Sequence, residues 1–248
     1  KLQPLIAPYR QLIAGWYLPF ELNDTDLKQP DYVSWLTDSL RQFQLGLKQP
    51  LAISVYANGK SNWLSDGLFQ SEQVSITQEK NPLGWGNVIN YFLNTFTDDY
   101  LIIMDPSTKF TADPIPMTLS ALASGYQGVG WKGGLVNIED EWRTTSDKGA
   151  GEVDVLFSYY FAMDRKFVIS AGGANPSAKY YRNADLELSL AIRSVGGKLM
   201  QLDLPLEQGR HHGYHDVDPD YRDKNSRKNY QRILDRFRGK NEILSPRR

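Results

Sequence analysis

Apolar and polar positions alternate between two periods along this chain. Gln11 to Phe20 (QLIAGWYLPF) reads as a buried strand that ends at Pro19. Asp31 to Lys48 carries Val33, Leu36, Leu40, Phe43 and Leu47 at helical spacing, with Asp31 as N-cap. Leu51 to Ala57 is a second strand, closed by the turn residues Asn58-Gly59. A strand, a helix and a strand in this order predict a parallel pair joined by a right-handed crossover. Val74 to Ile76 reads as a short strand, Gly84 to Phe96 as a helix opened by glycines, and Tyr100 to Asp105 as a strand. Thr111 starts a helix with Pro114 near its first turn, ending near Gly125.

The second half is less regular. Strands are expected over Tyr126–Lys132, Val153–Met163 and Lys198–Leu204. Helices are expected over Arg165–Ala171, over Asn183–Val195 with Gly196-Gly197 as stop, and over Arg222–Arg238. Long loops remain at 59–72, 133–150 and 205–221, lengths that usually mark functional segments. The expected fold class is α/β, a single domain with a mostly parallel central sheet flanked by helices and a mixed second half. A basic C-terminal helix would span 222–248.

The chain has 248 residues and 41% hydrophobic content, enough for a full core. It has no cysteine, which excludes disulfides, thiolate metal sites and a cysteine nucleophile and fits a reducing compartment. No run of about 18 apolar residues marks a transmembrane helix. The start shows no leader pattern, and the missing initiator Met suggests an excised piece. Net charge is −1, yet residues 222–248 hold ten Lys/Arg against three Asp/Glu. That tail suits phosphates, an anionic membrane surface or a partner, or is simply a solvated helix face; nucleic acid is not expected, because the rest of the chain is acidic.

Two acids stand out. Asp105 ends the strand Tyr100–Met104, where open α/β sheets bind ligands. Asp185 opens a distant helix in Asn183-Ala184-Asp185-Leu186-Glu187 and can do proton chemistry on whatever is held there. Each has a plainer reading, Asp105 as a turn cap and Asp185 as an ordinary first-turn acid.

Several segments, in order, resemble the family 2-like GT-A fold glycosyltransferases. They are LAISVYANGKSN (51–62), NPLGWGNVIN (81–90), LIIMDPST (101–108), YYFAMDRKFVISAGG (159–173), NADLELSLAIRSVGGKL (183–199) and His211-His212-Gly213-Tyr214. The resemblance runs from about Gln11 to Arg238 and implies a nucleotide-binding half over about 11–108 and an acceptor-side half over about 109–221. It implies an inverting transfer of a sugar from a nucleotide-diphosphate donor to a hydroxyl on a carbohydrate or lipid-linked acceptor, in surface polysaccharide or glycolipid synthesis. The implied location is cytoplasmic, with peripheral membrane contact. Asp185 corresponds to the family's catalytic base, and Glu187 would orient it or the acceptor. Asp105 and Ser107 occupy the Asp-x-Asp positions, and Asp105 with His211 and His212 would hold Mn2+ or Mg2+. Pro19, Phe20, Glu21, Asn58, Gly84 and Asn90 would line the donor pocket, Gly84 and Asn90 serving equally well as turn glycine and helix cap. Trp131, Trp142, Tyr159 and Tyr160 fall where acceptor loops would be. Three family acids are replaced, by Ser107, Ala57 and Ala184. The rival reading is therefore a catalytically degenerate domain that binds a glycan or nucleotide or serves a larger polypeptide. A nucleotidyltransferase would need a Gly-rich basic loop after the first strand, and Pro19-Phe20-Glu21-Leu22 has none.

Overall fold

A computed structural model describes residues 16–22, 51–55, 83–105, 107–209, 215 and 217–248, the first two segments through their backbone. The chain divides into two compact units, Lys1–Pro82 and Leu83–Arg248. In the first, β1 (Trp16–Leu22) pairs in parallel with β2 (Leu51–Val55), Trp16 opposite Leu51. This is the expected parallel pair. Pro19 lies inside β1 rather than ending it. The register shifts between Leu18 and Leu22, where Pro19 brings no N–H to the ladder. The helix expected over 31–48 and the strand at 74–76 lie outside the described residues.

The second unit runs α1 (Trp85–Thr95), β3 (Tyr100–Met104), β4 (Thr108–Phe110), α2 (Ile115–Ala123), β5 (Gly128–Gly130), β6 (Gly133–Val136), β7 (Thr145–Ser146), β8 (Gly151–Val153), β9 (Val155–Leu156) and β10 (Tyr160–Asp164). It continues with α3 (Arg165–Ser170), α4 (Ala184–Ser194), β11 (Leu199–Gln201), β12 (Leu206–Gln208), α5 (Pro219–Phe237) and a 3-10 turn at Asn241–Ile243. The central sheet has the order β3-β10-β5-β11-β8. Smaller sheets pair β12 with β4 and set β6 between β7 and β9.

The central sheet departs from the expected mostly parallel arrangement. β10 runs antiparallel to both neighbours, β3 and β5, and β8 runs antiparallel to β11; β5–β11 is its one parallel ladder. The physical reason is the insertion of β10 between β3 and β5 from the opposite direction, after the chain has made β6 to β9. Local periodicity reports a strand but not the direction in which it enters.

β10 shows why the sheet is buried on both faces. Its side chains alternate, and Tyr160 to Met163 are all fully buried. Phe161 and Met163 pack with Ile89 and Leu93 of α1, Val168 of α3, and Leu188 and Ile192 of α4. Tyr160 and Ala162 pack on the other side with Leu122 of α2, Val129, Trp131 and Leu204. α5 starts before Arg222 because Asp218 caps it, accepting from the Tyr221 N–H at 2.8 Å, and Pro219 takes the first turn. Its buried residues Ser226, Asn229, Ile233 and Phe237 form one stripe at helical spacing.

Candidate active site

The end of β3 delivers Asp105. Its N–H donates to the Tyr159 carbonyl (3.1 Å), the last link between this strand and the start of β10. The chain then turns. Asp105 Oδ1 accepts from the Ser107 N–H at 2.8 Å and from the Ser107 hydroxyl, and the Asp105 carbonyl accepts from the Thr108 N–H at 2.9 Å. Thr108 Oγ1 closes the turn onto the Tyr159 carbonyl at 2.8 Å. The carboxylate is thus oriented by its own turn.

Asp185 arrives from the first turn of α4. The helix is entered through Asn183, whose φ of 66° places a non-glycine residue in the left-handed region. Asp185 Oδ2 accepts from the Ser158 N–H (3.0 Å) and the Ser158 hydroxyl (3.2 Å), and Oδ1 accepts from the Leu186 N–H (3.0 Å). Ser158 and Tyr159 are consecutive, so the residues before β10 fasten both acids. Asp105 and Asp185 line one cavity of about 550 Å³, with Trp142, Phe157, Tyr159, Tyr181 and Tyr230 among its walls. Arg143, Arg182 and Asn183 add its other polar groups of note.

Burial pushes the Asp185 carboxyl up from 3.8 to about 6, against the bonds from Ser158 and Leu186 that hold it down. Helix-start acids are ordinarily favoured as anions, but at 5% exposure desolvation outweighs that effect. A carboxyl with that value is mostly ionised near neutrality and still able to hold a proton. The Tyr181 phenol is pushed well above its ordinary value, first by burial, then by Tyr180 and by the charge of Asp105, so it stays protonated beside the acid. Backbone strain gathers here as well. Glu141, Trp142 and Asn183 are the non-glycine residues with positive φ among the described residues, and Trp142 and Asn183 line the cavity. The Tyr230 hydroxyl donates to the Trp142 carbonyl at 3.1 Å and secures that turn.

No protein-family model matches the chain, and no curated protein does. Solved structures do. GalNAc-T7 with UDP, GalNAc and Mn2+ is 14% identical with a TM-score of 0.56, over 75% of this chain and 42% of that one. Mannosyltransferase PcManGT from Pyrobaculum calidifontis, in complex with GDP-Man and Mn2+, is 15% identical with a TM-score of 0.51, over 82% of this chain and 58% of that one. The chain has the GT-A fold. It spans about half the length of these two structures, and at such identity the likeness concerns the fold alone.

On this GT-A scaffold the residues singled out in the sequence go to several places. Asp105 and Asp185 share the cavity, and Ser107, 5% exposed, braces Asp105. Glu187 does not line the cavity. It is buried on another side of α4, accepting from Asn175 Nδ2 (2.7 Å), Arg232 Nε (3.0 Å) and Arg236 Nη1 (2.7 Å). Two helical steps turn a side chain by about 200°, which separates it from Asp185. Gly84 and Asn90 also lie away from the cavity. Gly84 has φ of 82° at the N-cap of α1, and a Cβ there would stand 2.8 Å from Lys179 Cδ. Asn90 clamps residue 174, donating to its carbonyl at 2.7 Å and accepting from its N–H at 2.9 Å. Pro19, Phe20 and Glu21 lie in β1, described through its backbone, and Asn58, His211 and His212 lie outside the described residues.

Trp142 and Tyr159 line the cavity, whereas Trp131 and Tyr160 belong to the core under α2. Sequence reasoning missed Ser158, Tyr181, Arg182 and Tyr230. The run Tyr180-Tyr181-Arg182 just ahead of Asn183 was the available signal for two of them. For a divalent cation, Asp105 offers the hard oxygen such ions take. The described residues contain no group of three His, Cys, Asp or Glu able to hold a metal ion.

Proposed function

We propose that this chain is a glycosyltransferase that moves a sugar from a nucleotide-diphosphate donor to an acceptor hydroxyl, with inversion, within a single GT-A domain. The observation that carries the reading is the meeting of Asp105 and Asp185 in one cavity, each fastened to the start of β10. Asp185 accepts the proton of the acceptor hydroxyl as that oxygen attacks the anomeric carbon. The bond from that carbon to the diphosphate oxygen breaks, and the electron pair leaves with the diphosphate. Ser158 holds the Asp185 carboxylate in place before and after the proton arrives. The aromatic walls Trp142, Phe157, Tyr159 and Tyr181 exclude water and offer flat faces to sugar rings.

Asp105, with His211 and His212, would hold Mn2+ or Mg2+, which supplies charge neutralisation for the departing diphosphate. Pro19, Phe20, Glu21 and Asn58 would hold the nucleotide. The acceptor is a carbohydrate or a lipid-linked carbohydrate, and the setting is surface polysaccharide or glycolipid synthesis, in the cytoplasm with peripheral membrane contact. Among the described residues no helix is long and apolar enough to cross a membrane.

Donor hydrolysis across UDP- and GDP-sugars with Mn2+ tests the reading. Asp185→Asn is expected to lower turnover by roughly 10²–10⁴-fold while the melting response to nucleoside diphosphate persists. Full turnover in that variant would remove the base assignment. A nucleotide response without turnover on any donor would instead favour a binding module, the reading to which Ser107 in place of an acid points.

A further inference from the structure

The loop after β6, with the first residue of β7, brings Trp142, Arg143, Thr144 and Thr145 to the cavity wall. Its root is Val136, the last residue of β6. The Asn137 N–H donates to the Thr144 carbonyl at 2.9 Å, so Asn137 faces the β7 side and Val136 turns its own N–H and carbonyl the other way. On that other side β6 pairs with β9 through Gly133 and Gly134, and the ladder stops short of Val136. Two side chains take its place. The Val136 N–H donates to Asp154 Oδ2 at 2.7 Å, and the Val136 carbonyl accepts from Arg248 Nη1 at 2.8 Å. Val136 is 4% exposed, so without these partners its backbone groups would be buried and unpaired.

The two side chains also hold each other. Asp154 is fully buried, and its carboxylate accepts from Arg248 Nη2 and from the Ser245 N–H as well as from Val136. The rest of the segment 243–248 has separate fastenings. Arg193 Nε donates to the Ile243 carbonyl, Leu244 packs with Val136, Trp142 and Ile233, and Arg247 donates to the carbonyls of Lys148 (2.7 Å) and Gly149 (3.0 Å). Removing the Arg248 guanidinium therefore opens one latch without freeing the segment. The loop beyond the latch needs firm anchors, since Glu141 and Trp142 hold φ of 59° and 69°, a conformation that persists only where the surroundings impose it. The Trp142 N–H donates to the Asn137 carbonyl at 2.9 Å, one residue past Val136. Trp142 packs with Leu190 and Ala191 of α4, the helix whose first turn carries Asp185. We propose that Arg248 and Asp154 are positioning residues, which act through the Val136 backbone to set the cavity wall over 142–145. This inference goes beyond the transferase reading and does not depend on it.

Fluorine NMR on the whole chain labelled with fluorotryptophan tests this, the Trp142 signal being assigned with Trp142→Phe. In Arg248→Ala the Trp142 signal is expected to shift or split by more than its linewidth, while those of Trp85 and Trp131 stay at the parent's positions. Trp85 lies at the start of α1 and Trp131 in the core under α2, both away from the latch. Arg248→Lys keeps a charge beside Asp154 but lacks the fork that also reaches the Val136 carbonyl, so its Trp142 signal is expected to fall between the two. A Trp142 signal at the parent's position in both variants overturns the proposal. So do Trp85 and Trp131 signals that move as far as that of Trp142, which would make Arg248 a general prop of the fold. The melting response of the parent to UDP or GDP with Mn2+ reads the transferase proposal separately, and its absence would leave the latch standing.

Discussion

Replacing Asp185 by Asn should make the protein more stable at neutral pH while disabling it. The Asp185 carboxyl is 5% exposed, and burial raises it from 3.8 to about 6. Between those values the folded chain keeps the proton and the unfolded chain releases it, so stability falls as pH rises across that window. The full shift corresponds to about 3 kcal/mol by pH 7.5, of which about 2 kcal/mol is lost between pH 4 and pH 7.5. Asn carries no charge and escapes this loss; its amide oxygen can accept from Ser158 in place of Oδ2, while its NH2 then faces the Leu186 N–H that Oδ1 accepts from, which offsets about 1 kcal/mol of the gain. Urea unfolding of both proteins at pH 4, 5, 6 and 7.5 isolates the residue, because all other titrating groups are common to the pair. The variant should gain on the parent steadily with pH, ending about 4–8 °C higher in melting temperature at pH 7.5. A difference that is flat with pH would refute the assignment of a buried, desolvated carboxyl.

Three further outcomes are expected. On the proposed reading Asp185 must be ionised to act, so kcat/KM should rise with pH through a midpoint at about 6 and level off about one unit above it, and Ser158→Ala, which removes the 3.2 Å hydroxyl bond that lowers this pKa, should move the acidic limb to higher pH. Glu187→Gln should cost about 2 kcal/mol in urea unfolding, less than the about 3–5 kcal/mol of a fully buried broken pair because Arg232 and Arg236 remain partly in water. Gly86→Ala should destabilise by about 2 kcal/mol or more in the same assay, although helix propensity alone favours Ala, because its Cβ would stand 1.9 Å from the Asn175 carbonyl oxygen.

Elements between 83 and 248 were legible where the apolar period is strong, as in α1, β3, α3 and α4, which lie within a residue or two of their expected bounds. Sheet direction was not legible, because β10 takes its partners from residues 100–104 and 128–130 and no local pattern encodes which way it runs. Asp105 and Asp185 could be singled out by their positions at a strand tip and a helix start. Glu187 was expected to orient Asp185 or the acceptor, since the arginines that claim it come 45 and 49 residues later. Ser158 gave no signal at all; its significance lies in a bond across 27 residues.

α5 carries two sets of duties in one register. Tyr230 and Ile233 form part of the cavity wall, while Asn229, Arg232 and Arg236 fasten the helix to the segment before α4 and to α4 itself. The two sets interleave, so evolution cannot retune one without disturbing the other except by point replacement. A single inserted residue would swing everything downstream by about 100° and forfeit both at once. Diversification of what this enzyme-like scaffold accepts is therefore confined to exchanges of side chain at fixed length along 226–236, a constraint that any library built on this helix inherits.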